Sequence, residues 1–123
     1  MESSVLKIIN TEMGNMGLNY EYDEFTKELV YPYFVGEFSE NEYSYEDGST
    51  RGEVILICFH RGTRAEMLAA KELIKDKFRD YRLTTDKGAI HIGYSREMFL
   101  RTGEADLKRM EIYLDVSYWK GER

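Results

Sequence analysis

Cys58 and His60 stand two residues apart within an apolar stretch, and a strand through them points both side chains to one face. A thiol beside an imidazole is the material of a nucleophile–base pair, or of part of a zinc site. Zinc takes three or four protein ligands, and the chain's one remaining histidine or cysteine is His91. Nothing in the sequence brings His91 to the pair. A buried structural cysteine and strand-end histidines account for all three residues, so no catalytic residue and no metal ligand is assigned. Arg61-Gly62-Thr63-Arg64 lies between a strand and a helix, where main-chain amides can hold an anion. It lacks the Gly-Lys-Ser/Thr ending of a phosphate loop. Thr63 followed by Glu66 reads instead as a capping box, each side chain satisfying an orphan amide of the other. Carboxylates are plentiful, yet no motif pairs them for acid–base work, and the sequence implies no cofactor and no small-molecule substrate.

The remaining concentration of chemistry is acidic. Glu37, Glu40, Glu42, Glu46 and Asp47 follow one another with no lysine or arginine until Arg51. Such a segment can be a solvated loop, a metal site or a partner-binding arm. Glu40-Asn41-Glu42 and Glu46-Asp47-Gly48 only approximate the alternating ligands of a calcium loop, which leaves solvation or a partner as the stronger readings. For a partner, Glu40, Glu42, Glu46 and Asp47 are the candidate contacts. Lys71, Lys75, Arg96 and Arg101 are the cations expected to meet them across a subunit boundary.

These residues need a scaffold, and one long hairpin supplies it. Its arms are Val30–Ser39 and Gly52–Arg61, joined by Glu40–Arg51. The second arm holds Val54-Ile55-Leu56-Ile57-Cys58-Phe59, an unbroken apolar run that predicts a strand covered on both faces. Pro32 belongs at the start of the pairing or on an edge, because it cannot donate to a ladder. A helix from Ser3 or Ser4, with Val5, Leu6, Ile9, Met13 and Met16 on its stripe, should stop at Gly17. Leu18–Leu29 is mixed, with a short extended piece at Tyr20 and Tyr22. After the hairpin, Met67, Ala70, Leu73, Ile74 and Phe78 predict a helix over Arg64–Asp80. Alternation predicts strands at Ala89–Tyr94 and Ile112–Trp119, while Ser95–Arg109 is charged and unassigned. The expected fold is α+β in one domain over 1–123, a mainly antiparallel sheet of about four strands with two helices on one face.

Composition bounds the partners. The chain has 123 residues, a net charge of −6 and a single cysteine. The charge argues against a general phosphate-binding surface, so no sequence-specific nucleic acid is expected. One cysteine excludes an intrachain disulfide and suits a reducing compartment. Met1-Glu2-Ser3-Ser4 predicts no signal peptide, and no apolar run approaches a membrane span. Ten tyrosines hint at interfaces, where a ring is buried while its hydroxyl stays wet.

Tyr31-Pro32-Tyr33-Phe34-Val35-Gly36-Glu37, an acidic loop, Gly52-Glu53-Val54-Ile55-Leu56-Ile57 and a following helix form a recognisable series. With Gly103-Glu104-Ala105-Asp106, Arg109-Met110-Glu111-Ile112 and Tyr118-Trp119, it resembles the small tail-completion proteins of long-tailed bacteriophages and prophages. These are the tail terminators and head–tail joining proteins. The resemblance implies a non-enzymatic α+β subunit working as a hexameric ring that ends tail-tube growth and meets the head connector. Its implied partners are other copies of itself and other phage tail or connector proteins, with no membrane. Its implied location is the bacterial host cytoplasm during assembly, then the virion tail or neck. No shared motif fixes the contact residues, so none is carried over. The alternative is a monomeric or dimeric adaptor that binds a partner strand at a sheet edge.

Overall fold

The computed structural model describes residues 2–24, 26–28, 30–41 and 48–120. Helix α1 (Glu2–Asn15) is followed by strands β1 (Asn19–Tyr22), β2 (Tyr33–Glu40) and β3 (Thr50–His60). Helix α2 (Arg64–Phe78) and strands β4 (Tyr81–Thr85), β5 (Gly88–Leu100) and β6 (Lys108–Lys120) complete the chain. The strands form one sheet in the order β1-β2-β3-β6-β5-β4. β1 runs parallel to β2, and the other four pairings are antiparallel. The α+β class and the helices on one face agree with the sequence reading. The strand count does not: there are six strands, and the sheet is mixed.

Local chemistry explains most of the boundaries. α1 ends where Leu18 N donates to Met13 O and Gly17 N to Gly14 O, both at 3.0 Å, with Gly17 at φ +74°. That is a Schellman cap, which needs a residue free to adopt the left-handed region. α2 starts on the expected capping box, Thr63 Oγ1 accepting from Glu66 N while Glu66 accepts from Thr63 N. It stops at Phe78, two residues short of the predicted end. Pro32 sits just before β2, behind a cis Tyr31–Pro32 bond. The mixed segment after α1 is held by Glu21, whose carboxylate accepts from the amide and hydroxyl of Thr26 and the amide of Lys27.

One strand, β4, escaped the sequence reading, and another, β5, was read only in part. β4 is short and mostly exposed, so it carries little hydrophobic alternation. β5 runs six residues past its expected end at Tyr94, reaching Leu100 through the unassigned region by way of a register shift between Tyr94 and Arg96. An extra residue there inverts the alternation that identifies a strand.

The core lies between the helices and one face of the sheet. Val54, Leu56 and Cys58 of β3 pair with Leu114, Ile112 and Met110 of β6, all buried. Val5, Ile9 and Met13 of α1 cover this face, as do Met67, Ala70, Ile74 and Phe78 of α2. Of the predicted helix stripe, Leu73 is the exception, at 49% exposure. Gly36 of β2 lies under Tyr20, whose ring and hydroxyl fill the space a Cβ would take.

The expectation for β3 is cover on both faces, by helices or by a neighbouring subunit, and the subunit's own helices supply it on one face. Its other face, bearing Glu53, Ile55, Ile57 and Phe59, has no helix or strand over it among the described residues. Ile57 is 9% exposed because cross-strand neighbours Val35 and Glu111 shelter it, whereas Ile55 is only half-buried. No helix among the described residues is long and apolar enough to cross a membrane.

Two stability tests follow. Gly36→Ala should displace the Tyr20 ring and cost about 1–3 kcal/mol, the usual range for overpacking, read from denaturant midpoints. Leu56→Asp should abolish or severely weaken folding by burying an unpaired charge, while Ile55→Asp, one residue away on the open face, should leave a cooperative transition. Equal losses at the two positions would mean that the open face is part of the core.

Candidate interaction surface

Cys58 and His60 do share a face, the one under the helices. His60 is 5% exposed, and its Nε2 lies 2.9 Å from Glu66 Oε1. The same carboxylate accepts from Thr63 N at 3.0 Å, so the histidine leans on the capping box. Gly62 is required here, since a Cβ would strike both the His60 ring and Glu66. Cys58 is fully buried, and burial pushes its thiol up to about 12, away from the thiolate a nucleophile needs. His91 projects from the opposite face of the sheet, with Nε2 2.6 Å from Asp80 Oδ1. The three residues therefore do not converge. Among the described residues no group of three or more histidine, cysteine or carboxylate side chains is placed to hold a metal.

The candidate partner contacts are also scattered. Glu40 is exposed at the end of β2, paired with Gly52. Glu42, Glu46 and Asp47 lie outside the described residues. Lys71 is engaged with Glu72 at 3.0 Å, and Lys75 lies 5.6 Å from the centre of the Tyr94 ring, both on the helix side. Arg96 is on the open sheet face, 3.8 Å from the centre of the Tyr113 ring. Arg101 is exposed just beyond β5, on a concavity of about 520 Å³ that it lines with Arg64, Phe99 and Lys108. The four cations thus occupy three regions of the surface and form no single patch.

The open sheet face carries an arrangement that the sequence reading missed. Tyr33 stacks on Phe59 at 5.4 Å, and Val35 lies opposite Ile57, giving an apolar band in the middle of the face. Arg109 and the Tyr113 hydroxyl both hydrogen-bond Glu111. Those contacts, the tyrosine's first, hold the Glu111 carboxyl below its usual range. Arg61 donates to Glu104 and Asp106, each at 2.9 Å. At the other end of the face the balance is reversed. Glu53 and Asp115 are direct cross-strand partners, and Glu37 is one step away opposite Ile55. None of these three carboxylates forms an ion pair among the described residues. Glu53 and Asp115 border a concavity of about 630 Å³ that Arg51, His91, Gly93 and Ser117 also line. Like charges directly opposite in a ladder are locally unfavourable. The sequence signal was available, because Asp115 alternates with Leu114 and Val116, but the partner strand and its register were not.

No family model matches the sequence, and no curated protein matches it. Among solved structures the chain is similar to one in "Virion of native gene transfer agent (GTA) particle". The TM-score is 0.59 with 14% identity, over 89% of this chain and 84% of that one. At that identity the likeness establishes a shared fold.

The capping-box cluster gives a pH test. Glu66 is held below its usual value of 4.5, first by the His60 hydrogen bond and then by the amide and hydroxyl of Thr63. A carboxylate depressed in the folded state contributes stability that is present above the unfolded pKa and lost as pH falls through the folded one. Melting temperature should therefore fall on acidification below about 4.5, and Glu66→Gln should make that fall shallower. An unchanged slope in the variant would remove Glu66 from the acid transition.

Proposed function

We propose that this protein is a structural subunit of a phage-like particle, a tail terminator or head–tail joining protein that works in a ring. One observation carries the reading, the similarity of fold over 89% of the chain to a chain of a gene transfer agent virion. The element order and end motifs that resemble tail-completion proteins support it independently. A ring requires heterologous contacts, in which one surface of a subunit meets a different surface of its neighbour. The acidic hairpin connection fits a partner arm in that setting, with Glu40, Glu42, Glu46 and Asp47 meeting Lys71, Lys75, Arg96 or Arg101 of another copy or of a connector protein. Exposed pairs of this kind each contribute about 0–1 kcal/mol, so they favour orientation over affinity.

A second reading has one observation in its favour. β4 pairs with β5 only as far as Ile92, so among the described residues Gly93–Leu100 has no strand on its outer side. An adaptor could bind a partner's extended segment along that edge. The bulge and the charges of Arg96 and Glu97 are the features by which edges resist nonspecific pairing.

Neutralising Glu40, Glu42, Glu46 and Asp47 together should leave the melting curve unchanged and reduce the yield of infectious particles. The measurement is complementation of a phage or prophage lacking the protein. Failure of the unaltered chain to be incorporated into particles would reject the virion role. Normal complementation by the neutralised chain would make the arm plain solvated surface.

A further inference from the structure

The two faces of this two-layer fold present surfaces that match each other. Arg64, Leu68, Lys71, Lys75 and Arg79 recur along α2 at spacings of four, three, four and four, which is one stripe of a helix. The stripe is four cations around a leucine left 37% exposed. Arg64 lies 4.1 Å from the centre of the Phe99 ring and Lys75 lies over Tyr94, and neither forms an ion pair among the described residues. On the sheet's other face, Glu37, Glu53 and Asp115 form no ion pair among the described residues, although Arg51 lines the same concavity as Glu53 and Asp115, and they stand beside the half-buried Val35 and Ile55. The six-residue apolar run of β3 is suited to cover on both faces, and the subunit's own helices cover one.

We propose that the α2 stripe of one copy docks on the open sheet face of a second copy, with Lys75 against Glu53 and Asp115 and Leu68 on the Val35–Ile55–Ile57 band. The lengths agree. Lys75 and Leu68 are separated by about 10 Å along a helix rising about 1.5 Å per residue. Glu53 lies about 7 Å from Ile55 and about 13 Å from Ile57 along a strand rising about 3.3 Å per residue. The signs agree as well, since the cations meet a carboxylate pair that forms no ion pair among the described residues. The docked helix supplies the second cover that β3 lacks. The two surfaces are different and do not overlap, so the contact is head to tail and each copy can engage two neighbours. This inference rests on the ring reading for its biological setting and names the surfaces that the ring would use.

Crosslinking tests it on the full chain. Cys58 is fully buried and its thiol is pushed up to about 12, so introduced thiols react selectively. A chain carrying Val35→Cys and Leu68→Cys, treated with a short bis-maleimide, should give a ladder of dimers, trimers and larger species. Each chain with only one of the two introduced cysteines should stay monomeric. Lys75→Glu in the double-cysteine background should abolish the ladder, and adding Glu53→Lys should restore it. Circular dichroism of each variant verifies that the fold is retained. No ladder, a ladder indifferent to Lys75→Glu, no recovery on charge exchange, or dimers from either chain with one introduced cysteine would each overturn the proposal. Incorporation into particles is scored separately, so loss of the ladder with retained incorporation rejects this contact and not the virion role.

Discussion

The ladder between β3 and β6 is the constraint that sets the remaining surfaces. Eleven residue pairs, from Thr50↔Tyr118 to His60↔Lys108, run without interruption through the middle of the sheet. Because side chains alternate strictly, one register decides both faces at once. Pairing Val54, Leu56 and Cys58 with Leu114, Ile112 and Met110 lines up the apolar residues beneath the helices. The same register forces Glu53 against Asp115 and Ile57 against Glu111 on the other side. A slip of one residue would exchange the faces and put carboxylates into the core. Each fully buried aliphatic side chain contributes roughly 1.5–3 kcal/mol, well above the cost of one exposed like-charge pair. The core therefore chooses the register, and the open face accepts the acidic pair as a consequence.

What was legible beforehand follows the same physics. α2, its capping box, the Gly17 stop and the alternation of β6 could be read because each is a local pattern in which neighbouring residues carry the whole signal. β1 could be seen as extended, but its parallel pairing depends on the path of the chain between Tyr22 and Tyr33, which no periodicity records. β5 was cut short at Tyr94 because the bulge after it shifts Glu97 and Phe99 onto the face that Ile90 and Ile92 had occupied. The site residues fared worse for a related reason. Alternation places Cys58 and His60 together within one strand, but nothing in the chain compares the faces of two strands, so His91 could not be excluded until the ladder was known. Lys71, Lys75, Arg96 and Arg101 were gathered by charge alone, and the fold distributes them over the helix side, the sheet face and the strand end. The unbroken run Val54–Phe59 was correctly read as a central strand. Its promise of two covered faces is met on one side within the subunit.

Aromatic rings determine how the cations of this acidic chain are spent. Arg61 lies over Tyr31, Arg64 over Phe99, Lys75 over Tyr94, Arg96 over Tyr113 and Arg109 over Phe59, at 3.8–5.7 Å from the ring centres. A ring face attracts a cation without neutralising it. Arg61 and Arg109 also carry carboxylate partners, while Arg64 and Lys75 keep their charge available to an incoming anion. These five rings, three of tyrosine and two of phenylalanine, act as supports that hold long basic side chains in place. Held side chains lose less conformational freedom on binding than free ones, which favours orientation at little loss of affinity.

A head-to-tail contact between a helix stripe and a sheet face has an energetic consequence of its own. Burying one partly exposed leucine adds on the order of 1 kcal/mol, and each peripheral ion pair adds about 0–1 kcal/mol. Association costs at least about 4 kcal/mol in lost translational and rotational freedom. A net charge of −6 on every copy adds mutual repulsion. Two copies in dilute solution would therefore exchange rapidly, so that an irreversible crosslinker accumulates contacts that equilibrium association alone would not hold. A closed ring changes the balance, because it has as many contacts as subunits where an open chain has one fewer, and the last contact forms at high effective concentration. A template that presents several copies side by side has the same effect. Added salt screens the long-range repulsion over a Debye length of about 10 Å at 0.1 M while leaving the apolar contact largely intact. Weak pairwise contact and stable closed assembly are thus compatible on one surface, and in the proposed contact the carboxylates without ion pairs would select the neighbour.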